Sequence, residues 1–70
     1  MMNKTPFDPD EIVTLPSHGK MSLRDAVATV MNLRSQNLEA YVFAAIFRDR
    51  DPPILDLPQI DVLAGKWGLR

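Results

Sequence analysis

The only histidine of the chain, His18, directly follows Ser17, and the carboxylates Asp10 and Glu11 lie a few residues before them. These residue types can act as a nucleophile, a base and an orienting acid. Nucleophile and base need rigid support, whereas Ser17 and His18 stand beside Gly19 in a polar stretch that is typical of a turn. We therefore expect a solvated turn histidine, no catalytic residues and no enzymatic activity.

Aspartates in the second half of the chain offer the residue type that binds calcium, and they stand at Asp49, Asp51, Asp56 and Asp61. A calcium loop of the EF-hand type that began at Asp49 would have Ile54 in place of its required glycine and Ile60 in place of its glutamate. The chain also has no cysteine and a single histidine, so one copy cannot assemble a zinc site from these ligands. We expect neither a metal nor a cofactor.

Basic side chains and an aromatic ring, which together can hold single-stranded nucleic acid, occur at Arg48, Arg50, Lys66, Trp67 and Arg70. The aspartates at 49 and 51 cancel much of this charge. Over the whole chain, eight basic residues stand against nine acidic ones, for a net charge of −1, whereas nucleic-acid-binding domains usually carry a basic excess. An accessory nucleic-acid-binding regulator is therefore the alternative function and not the first expectation.

Length and composition predict one globular domain over residues 1–70, since 46% of the residues are hydrophobic and 24% are charged. A domain of this size has a marginal core, and without disulfides self-association is the expected source of further stability. The chain starts without the apolar stretch of a signal peptide, and its longest apolar run, residues 40–47, is too short to span a bilayer. We expect a cytoplasmic protein that does not contact membranes.

The first 20 residues contain three of the six prolines, which prevent a long regular element there. An irregular N-terminal arm is therefore predicted over residues 1–20. Within it, residues 11–15 form at most one helical turn or a short extended run, and residues 17–20 form a turn.

Two helices are predicted from their caps and their periodicity. Ser22 can cap a helix that begins at Leu23, and Asp56 with Gln59 forms a capping box for a helix that ends at Gly65. The first of these helices carries apolar residues with helical spacing at Leu23, Ala26, Val27, Val30 and Met31.

The segment between these helices is predicted as a helix from Leu38 to Arg48, capped by Ser35 or Asn37. Apolar residues cover it nearly all round, because a second set lies opposite its main apolar stripe at Ala40, Phe43 and Phe47. A small monomer has little material to cover both sides of such a helix. The alternative is a strand over residues 39–48, paired across a dimer.

Together these patterns predict an all-α fold, a small three-helix domain with an irregular arm, and the alternative is an α+β fold with residues 39–48 as a strand. The predicted function is an oligomerisation or protein-interaction module without catalytic activity. Its partner is a second copy, forming a homodimer, or another protein, and its interface consists of Ala40, Phe43, Ala44 and Phe47.

Overall fold

The structure is a computed structural model that describes residues 7–70. Within this range the chain forms three helices and a four-stranded antiparallel sheet, so the fold is α+β and the all-α prediction is wrong. The strands are β1 (Ile12–Leu15), β2 (Gly19–Ser22), β3 (Ile46–Phe47) and β4 (Ile54–Leu55), and the helices are α1 (Leu23–Gln36), α2 (Leu38–Val42) and α3 (Leu57–Lys66).

A β-hairpin occupies much of the segment predicted as an irregular arm over residues 1–20. β1 and β2 pair over their full length, and the His18 N–H donates to the Leu15 carbonyl at 2.9 Å to close the turn between them. Pro16 takes the second position of this turn and Ser17 the third, with the positive φ of 71° that a type II turn requires. The proline that excludes a long helix thus reverses the chain, and the β-branched residues before it extend into a strand.

Helix α1 confirms its predicted start. The Ser22 hydroxyl accepts the Asp25 N–H at 3.1 Å, so the cap and the first helical residue are those expected from the sequence. The five residues of the predicted apolar stripe are all buried. Helix α3 likewise begins after Asp56 with a complete capping box and runs one residue past Gly65.

The segment predicted as one helix from Leu38 to Arg48 divides into two elements. Helix α2 ends at Val42, and Ile46 and Phe47 form strand β3, which pairs with β1 and with β4. A continued helix would have left one of its two apolar sides uncovered, whereas a strand sends alternate residues to opposite faces. The alternative prediction, a strand over residues 39–48 paired across a dimer, is correct only for the two residues of β3. The strands that pair with β3 lie within the same chain.

The sheet has the strand order β2-β1-β3-β4. Its inner face packs with α1 and α3 in a single core, to which the sheet contributes Val13, Leu15, Ile46 and Leu55. Its outer face carries Ile12, Phe47 and Ile54, which are about half exposed. The helices therefore shield one face of the sheet from water.

None of the helices formed by residues 7–70 combines the length and the apolar character needed to cross a membrane.

Candidate interaction surface

The inner face of the sheet has two ends that differ in chemistry. β1 and β3 are antiparallel, with Thr14 opposite Phe47. The inward-facing residues therefore lead from Glu11 and Arg48 at one end to Leu15 and Ile46 at the other. We call the first the closed end and the second the open end.

The closed end is sealed by a buried ion pair. Arg48 is 6% exposed and Glu11 is 9% exposed. The Arg48 Nε donates to Glu11 Oε2 at 2.8 Å, its Nη2 to Glu11 Oε1 at 3.0 Å and its Nη1 to the Pro52 carbonyl at 3.0 Å. The guanidinium carbon lies 4.9 Å from the centroid of the Phe7 ring, within the range of a cation–π contact. The two charges are thus paired and hydrogen-bonded, as burial of a charge requires.

The sequence contains no local sign of this pair, because 37 residues separate its partners. The sequence pattern predicts Arg48 at the end of a helix and within a basic patch, whereas Arg48 lies just after β3 and is buried. Within residues 7–70, every buried side-chain nitrogen or oxygen has a hydrogen-bond partner. The closed end is therefore complete within one copy of the chain.

The open end holds a cavity of about 310 Å³. The walls come from the end of β1, the hairpin turn, the last part of α1, helix α2 and β3. The lining residues are Leu15, residues 16–18, Leu33, Ala40, residues 43–45 and Phe47. Apart from Ser17 and His18, these side chains are apolar, so the cavity offers a surface for apolar groups.

All four residues predicted as an interface line this one cavity: Ala40, Phe43, Ala44 and Phe47. The two alanines are half-buried, while Phe43 is 79% exposed and Phe47 is 46% exposed. Ala40 belongs to α2, Phe43 and Ala44 follow it, and Phe47 lies on β3. They are therefore brought together by the fold and not by one continuous helix face.

Local hydrogen bonds hold this wall of the cavity in place. The Asn37 side chain accepts the Ala40 N–H at 3.2 Å and so caps α2, in agreement with one of the two predicted caps. After the helix, the Ala44 N–H donates to the Tyr41 carbonyl at 3.1 Å. Tyr41 and Ala44 pack against the core, whereas Phe43 between them in the chain is 79% exposed.

The structure does not assemble the catalytic fragment considered from the sequence. His18 is exposed in the hairpin turn, where its Nδ1 lies 3.3 Å from the Pro16 carbonyl oxygen. Glu11 lies at the opposite end of β1 and is held by Arg48. Asp10 also precedes β1, so Ser17 and His18 are separated by this strand from both carboxylates that were considered as their partners.

The aspartates and the basic patch are also dispersed. Asp56 caps α3, and Asp61 pairs with Arg70 at 3.5 Å. In the described part of the chain, no three histidine, aspartate or glutamate side chains form a group that could hold a metal ion. Arg48 is buried and Trp67 packs against the core, so the basic-aromatic patch considered for nucleic acid retains only part of its members at the surface.

Comparison of the chain with protein-family models, with curated proteins and with solved structures finds no match.

Proposed function

We propose that this protein is a small interaction module without catalytic activity, and that the open end is its contact surface. The observation that carries the proposal is the exposed apolar lining of the cavity, above all Phe43, which is 79% exposed. The other predicted interface residues, Ala40, Ala44 and Phe47, surround the same cavity.

The energetics of an exposed phenylalanine support this proposal. Burial of one such side chain contributes roughly 1.5–3 kcal/mol relative to exposure. Aromatic anchors that enter a pocket are typical of the few residues that dominate binding energy at protein interfaces. Little of this burial free energy is realised within the chain itself, so most of it becomes available when a partner covers Phe43.

The chemistry of the open end supports binding over catalysis. Its polar side chains are Ser17 and His18, both exposed in the hairpin turn, whereas the two carboxylates considered for orienting the histidine, Asp10 and Glu11, precede β1 at its other end. A catalytic site requires reacting groups that are held at fixed mutual distances.

The cytoplasmic location expected from the sequence is part of the proposal, and fractionation of cells that express the chain tests it.

The alternative, an accessory nucleic-acid-binding regulator, has less support. Of the basic side chains considered for it, Arg48 is committed to Glu11 and Arg70 lies 3.5 Å from Asp61. Arg50 and Lys66 are exposed, but two cations on a chain with a net charge of −1 give little general attraction to phosphates.

Site-specific photo-crosslinking tests the proposed contact surface. A benzophenone derivative of phenylalanine replaces Phe43 in cells that express the chain, and Val62 on α3 is replaced in the control. Val62 is also an exposed large apolar residue, at 57%. We expect a discrete protein adduct from position 43 and none from position 62. Equal labelling at both positions, or no protein adduct at position 43, contradicts the proposal.

A further inference from the structure

We draw no further inference here: the strongest candidate, the apolar cavity at the open end of the sheet with the exposed rings of Phe43 and Phe47 in its lining, belongs to the contact surface already proposed, and nothing in the structure shows what covers it.

Discussion

The closed end and the open end are completed in opposite ways, and two residues that are adjacent in the chain but face opposite sides of the sheet illustrate the difference. Arg48, a permanent cation, is 6% exposed, while its neighbour Phe47, a large apolar residue, is 46% exposed. At the closed end a charge is buried because Glu11 and the Pro52 carbonyl satisfy it within the chain. At the open end apolar rings reach solvent around a cavity. A small domain can thus complete its polar interactions internally while part of its apolar surface stays exposed.

The largest effect is expected from removal of the buried cation. Arg48→Met leaves the Glu11 carboxylate buried without its partner, which should lower the free energy of unfolding by about 3–5 kcal/mol. Chemical denaturation followed by circular dichroism measures this loss. Arg50→Met, two residues along the chain and exposed, is the control and should change stability by less than about 0.5 kcal/mol.

The double variant Glu11→Leu, Arg48→Met tests whether the instability of Arg48→Met comes from the unpaired Glu11 carboxylate. With both charges gone, no unpaired charge remains buried, so we expect a large part of the stability to return. If the double variant is as unstable as Arg48→Met alone, the closed end depends on the shape of the arginine and not on the pairing of charges.

Two leucines on α1 allow the packing of the core and of the open end to be compared with the same substitution. Leu23 is fully buried, whereas Leu33 is half-buried and lines the cavity. Leu23→Ala should cost about 2–5 kcal/mol, since it creates a cavity in a packed core, and Leu33→Ala about 1 kcal/mol, since it enlarges an existing one. Equal losses in denaturation experiments would show that both ends are equally well packed.

The caps of α1 and α2 are expected to differ as Leu23 and Leu33 do, with the larger loss of stability at the buried helix α1. Ser22→Ala removes the cap of α1 and should lower global stability by about 1 kcal/mol. Asn37→Ala removes the cap of α2, whose residues are all exposed or half-buried. Its main effect should be local, seen as faster hydrogen exchange at Ala40 and Tyr41 with little change in the denaturation midpoint. A midpoint loss as large as that of Ser22→Ala would make α2 part of the cooperative core.

The smallest effect on folding is expected for the most exposed ring. Phe43→Ser should change the unfolding free energy of the monomer by less than about 0.5 kcal/mol, because the side chain is 79% exposed. The measurement is made at a dilution that keeps the chain monomeric. A loss above about 1 kcal/mol would mean that Phe43 stabilises its own chain, and the open end would then not be a free contact surface.

Elements that depend on local signals were predicted well. The caps at Ser22 and Asp56 and the apolar periodicity after Leu23 are properties of a few neighbouring residues, and the structure confirms them. The hairpin was not predicted, although Pro16 followed by residues that tolerate a positive φ is a turn signal. Its two strands are only four residues each, too short for their alternation of buried and exposed residues to stand out from a helical or irregular pattern.

By itself, the sequence determined which residues have apolar side chains, where α1 and α3 begin, and that the segment containing Phe43 and Phe47 is rich in apolar residues. Only the tertiary structure decided that this segment breaks after Val42, that Ile46 turns inward and Phe47 outward, and that Arg48 meets Glu11 across 37 residues. The physical reason is the range of the interactions. Caps and helical periodicity act within one or two turns, whereas strand pairing and burial of an ion pair depend on distant residues that only the folded chain brings together.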